Sequence, residues 1–295
     1  QEHYRIADEF RAFPYRPDAT VQELREGFET LAQTRFRAPE TGFRYENVNA
    51  GGVPAEWHIP DGQSGPRTIL YIHGGGFCFG STNTHRGLTS LLAEAANARA
   101  LGLNYRLAPE HPFPAALDDC LAAYRWLLQQ GVKPKDIVLA GDSAGGGLVL
   151  STLVALKDAG EPLPAAGICM SPVTDLAKEG ESMKTRAALD PMVRPESSAK
   201  NANRYIGDRD HKLPLASPLY ADLRGLPPIL LLVGTWEVLF DDSTRLAARA
   251  KEAGVKIEFE IWEEMMHVWP LFGKEMPEAM QAITRMGNFA KQQTP

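Results

Sequence analysis

The sequence lacks the features that mark several large classes of protein. Only three cysteines occur in 295 residues, Cys78, Cys120 and Cys169. They are widely spaced, odd in number and form no Cys-x-x-Cys, so they indicate neither a disulfide framework nor a zinc site. Such usage fits a reducing, cytoplasmic compartment. No apolar run reaches the roughly 18 residues of a membrane span, and no apolar h-region follows the polar start at Gln1. Basic blocks are missing and the formal net charge is −6. That removes the electrostatic footprint of a nucleic-acid binder and of a protein docked on an anionic membrane. Neither glycine-rich stretch, "HGGGFCFG" or "GDSAGGGL", spells a P-loop or a Gly-x-Gly-x-x-Gly, so nucleotide binding is not expected. Internal repeats, low-complexity tracts and Pro/Gly/Ser linkers are also missing. A single domain over 1–295 is therefore favoured, although the length alone would allow two.

The composition present is that of an ordinary soluble protein, 44% hydrophobic and 23% charged, which suffices for a sizeable core. Short apolar runs alternate with helical patterns, the signature of βαβ units around a parallel sheet. Strands are expected at 43–49, 53–59, 68–73, 99–105, 136–142, 165–171, 229–234 and 256–262. The first two alternate in polarity across "AGG", as an antiparallel hairpin does, whereas the central ones are continuously apolar, as strands covered on both faces are. Helices are expected over 83–96, 114–130, 143–158, 241–253 and 277–291. Residues 1 to about 40 and about 177–215 fall outside this alternation and are read as cap pieces over a site.

At the end of the fifth strand "DIVLAGD" runs into "SAGGGLVL", giving Gly141-Asp142-Ser143-Ala144-Gly145 at a strand-to-helix junction. A serine at such a turn is strained and exposed, and the residues two before and two after must be nearly free of side chain. The following helix aims its N-terminal N–H groups at the serine, which favours a developing oxyanion. A plain glycine-rich turn capped by serine is the blander reading. The second motif tells against it: the third strand ends in His73-Gly74-Gly75-Gly76-Phe77, and three glycines let main-chain donors approach a tetrahedral oxygen closely. His73 is read as the anchor of that loop rather than as a base.

A base must then follow Ser143. Only His211 and His267 do so. His211 lies in an irregular stretch, whereas His267 lies on a loop just past the last expected strand, where catalytic groups of a parallel sheet collect. For the acid, "VGTWEVLFDDS" offers Glu237, Asp241 and Asp242. Glu237 stands three residues beyond a strand end, within reach of a neighbouring loop. The aspartates open a helix, where carboxylates cap free N–H groups.

With these residues in view, the chain resembles the hormone-sensitive lipase family of α/β-hydrolases, the bacterial HGGG/GDSAGG carboxylesterases. "YIHGGGFCFGS", "NYRLAPEHPFPAALDD", "GDSAGGGL", "SPVTDL", "ASPLYADLRGLPPILLLVG" and "DDSTRLAARAKEAGV" match that family in order over nearly the whole chain. The resemblance implies an α/β-hydrolase fold: a mostly parallel eight-stranded sheet with helices on both faces, under a helical cap built from the two segments set aside. It further implies Ser143 as nucleophile, His267 as base, and the N–H groups of Gly75, Gly76 and Ala144 as oxyanion donors. The acid falls at the fourth residue of Gly234-Thr235-Trp236-Glu237-Val238-Leu239, where Glu replaces the commoner Asp. "EEMMHVW" also departs from the family, with Trp269 in the aromatic place. Phe77, Met192 and Trp269 are expected to line the substrate pocket, and Cys78 to be buried and inert.

The function implied is hydrolysis of esters with short to medium acyl chains, without cofactor or metal. A small ester is the expected partner, with neither nucleic acid nor membrane, and a homodimer is an open option. An amidase, deacetylase or acyltransferase would use the same residues, and a non-catalytic ligand-binding relative is the remaining alternative.

Overall fold

The computed structural model describes residues 1–12, 16 and 18–295; the part of the expected cap at 13–15 and 17 lies outside the described residues. Eight strands form one sheet: β1 (Phe43–Ala50), β2 (Val53–Pro60), β3 (Thr68–Ile72), β4 (Arg99–Leu103), β5 (Ile137–Asp142), β6 (Ala166–Met170), β7 (Ile229–Gly234) and β8 (Ile257–Trp262). Their spatial order is β1-β2-β4-β3-β5-β6-β7-β8. The β1–β2 and β2–β4 pairs are antiparallel, and every pair from β4 to β8 is parallel.

The parallel strands are apolar on both faces because each face has its own helical cover. Leu70 and Ile72 of β3, Ile137 and Leu139 of β5 and Leu231 of β7 join one core cluster; Ile69, Tyr71, Val138, Ala140, Leu230 and Leu232 join the other. The alternation follows from successive side chains of a strand pointing to opposite faces. The first cluster is closed by α4 (Ala115–Gln129), α5 (Ala144–Asp158) and α8 (Phe240–Glu252), the second by α3 (Thr82–Ala96), α9 (Pro277–Gln293), α1 (Glu2–Ala12) and α2 (Val21–Arg35). Each fully buried Leu or Ile contributes about 2 kcal/mol. The edge strand β8 alternates instead, and Glu258 and Glu260 on it both pair with Arg285 of α9. Charge on an exposed edge discourages pairing with other chains.

Two boundaries shift for a chemical reason. The helix expected from Ser143 begins at Ala144, because Ser143 sits at φ 52°, ψ −121°. The strand expected through His73 ends at Ile72, where the run of glycines starts. The segment 177–215 contains a single turn, α6 (Ser182–Thr185), and the longer α7 (Pro195–Ile206).

Candidate active site

The geometry starts at the C-terminal end of β5. Ser143 holds its unusual conformation because its N–H donates to Met170 O at 2.8 Å and its carbonyl accepts from Val173 N and Gly147 N. The glycines flanking it are dictated by space. A Cβ on Gly145 would lie 1.9 Å from Ile72 O, and one on Gly141 would lie 2.6 Å from Gly145 O. The Ser143 backbone costs on the order of 1–3 kcal/mol relative to a relaxed one, which the surrounding hydrogen bonds offset.

The loop after β3 runs alongside. Gly75 and Gly76 both have positive φ, at 117° and 57°. Among the described residues no acceptor takes the N–H of Gly75, Gly76 or Ala144, so all three remain available to a ligand oxygen. Asp142 fastens this loop to the elbow: its Oδ1 accepts from Gly74 N at 3.1 Å and Tyr71 OH at 2.7 Å, and its Oδ2 lies 3.2 Å from His85 Nε2. Burial opposes its ionisation, but His85 and Tyr71 outweigh burial and hold the carboxyl below its ordinary range. His73 stacks on Tyr105 with centroids 4.2 Å apart and donates from Nδ1 to Gly74 O. Burial, reinforced by His85, pushes its pKa down to about 3, so the ring stays neutral. That behaviour suits an anchor.

His267 reaches this point from the loop after β8. Its Nε2 lies 2.9 Å from Ser143 Oγ, and its Nδ1 lies 2.9 Å from Glu237 Oε2. Glu237, fully buried, also accepts at Oε1 from Ser171 Oγ at 2.7 Å and Gly234 N at 2.6 Å. Burial pushes this carboxyl upward, while His267, Gly234 and Ser171 favour the carboxylate. Burial alone would push His267 down; the bond to Glu237 reverses that and leaves the imidazole above its ordinary value. Ser171, at φ 47° just past β6, also accepts from Val268 N at 3.2 Å and so ties the acid's loop to the base's loop.

The aspartates have a different role from the one expected. Neither aspartate caps the first turn of α8: its N-cap residue is Leu239, and the N–H of Asp241 donates to Ser182 Oγ at 3.0 Å. Asp242 Oδ2 instead accepts from Thr174 N at 2.7 Å and Asp175 N at 2.9 Å, and Asp241 Oδ2 accepts from Ser182 N at 2.8 Å. The pair thus holds the stem of the 177–215 segment rather than its own helix. Opening a helix is a position from which a side chain reaches a neighbouring loop as readily as its own first turn.

Above Ser143 lies a small cavity of about 160 Å³, partly open to solvent. Phe77, lying flat on Tyr205 at 3.8 Å, and Met192 line it. Trp269 does not: its indole is fully buried, donates to Glu278 O at 3.3 Å and packs on Trp262, while its neighbours Val268 and Leu271 face the cavity. Val268 at φ 47° turns the chain, so the position two past His267 points into the core. Cys78 is fully buried and its thiol is pushed up to about 12, mainly by burial, which makes it unreactive.

Four site residues escaped the sequence reading. Ser171 opens "SPVTDL", a strand end like the others, and that position was the available signal. Asp190 accepts from Met192 N, Val193 N and Val238 N. Lys178 and Phe28 both face the cavity. No pattern marks Asp190 or Lys178, because Asp190 binds backbone N–H groups, which any residue type carries, and Lys178 lies in an irregular segment.

Loops from the ends of β3, β5, β6, β7 and β8 converge on one serine beneath a partly open cavity, which defines a class. A family model described as α/β hydrolase fold matches residues 69–271. The chain belongs to the α/β hydrolases, and within them it is a carboxylic ester hydrolase of the bacterial hormone-sensitive lipase family. It is 49% identical to an acetyl-hydrolase of Streptomyces hygroscopicus, over 84% of this chain and 82% of that one. It is 39% identical to an esterase of Acinetobacter venetianus, covering 82% and 80%. Among solved structures, an esterase from the bacterial hormone-sensitive lipase family matches at 47% identity and TM-score 0.95 over 100% of this chain and 98% of that one. The esterase EstE5, in a crystal soaked with p-nitrophenyl butyrate, matches at 46% identity and TM-score 0.95, covering 99% and 98%. Among the described residues no helix is long and apolar enough to cross a membrane.

Proposed function

We propose that the chain hydrolyses esters of short to medium acyl chains, roughly C2 to C8, through a Ser143-His267-Glu237 triad and an oxyanion hole of Gly75, Gly76 and Ala144. The observation that carries this reading is the unbroken line of hydrogen bonds from Ser143 Oγ through His267 to Glu237, opening onto a cavity edged by unpaired N–H groups. His267 Nε2 takes the proton of Ser143 as Oγ attacks the acyl carbon, and Glu237 holds the proton on Nδ1 and stabilises the imidazolium. The N–H groups receive the oxyanion. His267 then protonates the leaving alcohol, and water attacks the acyl-enzyme by the same path in reverse.

Residues 1 to about 40 and 177–215 act in this reading as the cap of a single domain. Phe28 of α2 and Lys178, Met192 and Ser198 of the second segment all face the cavity, which supports it. The short-chain preference is supported by the size of that cavity and by the acetyl-hydrolase among the relatives. Three free, buried cysteines are consistent with a cytoplasmic location. Ser143→Ala tests the core of the proposal on p-nitrophenyl butyrate: kcat should fall by about 10⁴-fold or more, and retained turnover would remove Ser143 from its role.

A further inference from the structure

Lys178 is an unusual residue to find on the wall of an ester pocket. The residue is half-buried and lines the cavity. Its backbone sits at φ 56°, a conformation that glycine adopts without strain and lysine does not. Among the described residues its ammonium makes no hydrogen bond and no ion pair within 4 Å; only its backbone N–H is bonded, to Asp175 O.

Two carboxylates, Asp242 and Asp175, lie near enough to attract the lysine, but neither comes within 4 Å of its ammonium. Asp242 Oδ2 takes Thr174 N and Asp175 N, while Asp175 takes Ala177 N, Glu179 N, Tyr220 OH and Arg245. A cation removed from water without a close partner is unfavourable, and burial indeed pushes the lysine below its ordinary pKa. The rest of the lining adds to the positive field. Ser197 and Ser198, from the first turn of α7, line the same cavity, and a helix N-terminus carries partial positive charge. The carboxylate in the lining, Asp142, is occupied by Tyr71, Gly74 and His85.

We propose that the cavity takes esters bearing a second, anionic group, a carboxylate a few atoms from the scissile ester, which pairs with the Lys178 ammonium. The inference rests on the reading of this cavity as the ester site. The carboxylate belongs either to the acyl part, as in a half-ester of a short dicarboxylic acid, or to the alcohol part, as in an ester of a hydroxy acid.

The test measures kcat/KM on two matched pairs, for the native enzyme, Lys178→Met and Lys178→Arg. Mono-nitrophenyl adipate against nitrophenyl hexanoate probes the acyl side, and 4-carboxyphenyl butyrate against phenyl butyrate probes the alcohol side. In one pair, Lys178→Met should lower the ratio of anionic to neutral ester by about 10- to 100-fold, the range of a charge-assisted hydrogen bond. Lys178→Arg should restore most of that ratio. An unchanged ratio in both pairs overturns the proposal while leaving ester hydrolysis intact, whereas a native enzyme inactive on all four esters overturns the esterase reading itself. Should Lys178→Met fail to fold, competitive inhibition of the native enzyme decides. Adipate should bind at least about tenfold tighter than hexanoate, or 4-hydroxybenzoate tighter than phenol by the same margin; equality in both comparisons sinks the idea.

Discussion

The floor of the cavity is built from strand ends packed so closely that a single Cβ on Gly145 would stand 1.9 Å from a neighbouring carbonyl, whereas the roof is built from short helices with open faces. On the floor, β3, β5, β6 and β7 are buried along their whole length. In the roof, α7 buries only Ala202, Tyr205 and Ile206, and Leu189 is 43% exposed. Between them runs a seam of buried carboxylates. Asp190 ties Met192 and Val193 of the roof to Val238 beside Glu237, and Asp241 and Asp242 tie the stem at Thr174, Asp175 and Ser182 to α8. Under the proposed function the difference assigns bond-making geometry to the floor, which close packing leaves no freedom to vary, and selectivity to the roof, whose attachment depends on a few hydrogen bonds.

The largest effect that sharpens this contrast should come from Glu237→Gln, an isosteric change on the floor. Loss of the carboxylate removes the group that orients His267 and stabilises its charged form, so kcat should fall by about 10²- to 10⁴-fold with the fold retained. The pH profile gives a second readout. The base works neutral, and in the native enzyme the Glu237 bond holds the imidazole above 6.5 against the downward push of burial. The acid limb of kcat/KM should therefore lie above pH 6.5 and move to lower pH in the variant, because the charged imidazole has lost its partner. A limb that stays in place would show that Glu237 does not set the state of His267.

A smaller effect, and of another kind, is expected at the seam. Asp242→Asn leaves one buried acceptor serving Thr174 N and Asp175 N without its charge. Stability should fall by about 1–3 kcal/mol, visible as a lower denaturant midpoint, while kcat on nitrophenyl butyrate stays within about tenfold of native. If Asp242→Asn instead lowers kcat by the factor expected of Glu237→Gln, then the functions of these two carboxylates, five positions apart, have been exchanged.

The same division explains what the sequence discloses. All eight strands and the helices α3, α4, α5, α8 and α9 are legible, because continuous apolar runs and glycine-bounded turns report local constraints. The positions of Ser143 and His267 are legible for the same reason: each lies at the end of a strand, and the Ser143 glycines answer a steric demand within a few residues. Glu237 is set apart from Asp241 and Asp242 by its place three residues past a strand end, and the family pattern points to the same residue. Trp269 was misplaced because a positive φ at Val268 inverts the direction of the next side chain, and no residue type in "HVWP" announces that turn. The work of Asp190, Asp241 and Asp242 is invisible in the letters, since their partners lie 48 to 68 positions away or are backbone groups with no identity.

The smallest effect belongs to the roof itself. Met192 lines the cavity, and its N–H is held by Asp190 at 2.9 Å, so Met192→Ala should empty space without releasing the main chain. A series of nitrophenyl esters from acetate to octanoate should then show its optimum displaced toward longer chains by about one or two carbons, with changes in kcat/KM at any single length of about tenfold or less. One methylene in an apolar pocket is worth roughly 1–3 kcal/mol of discrimination, and a flexible thioether limits chain length softly because it moves aside more readily than a branched side chain. The acetate rate should barely change, because its acyl group is too short to reach the vacated volume. A fall at acetate as large as that at octanoate would mean that Met192 acts on the floor, through Asp190 and the acid loop, and the separation of chemistry from selectivity would fail at that residue.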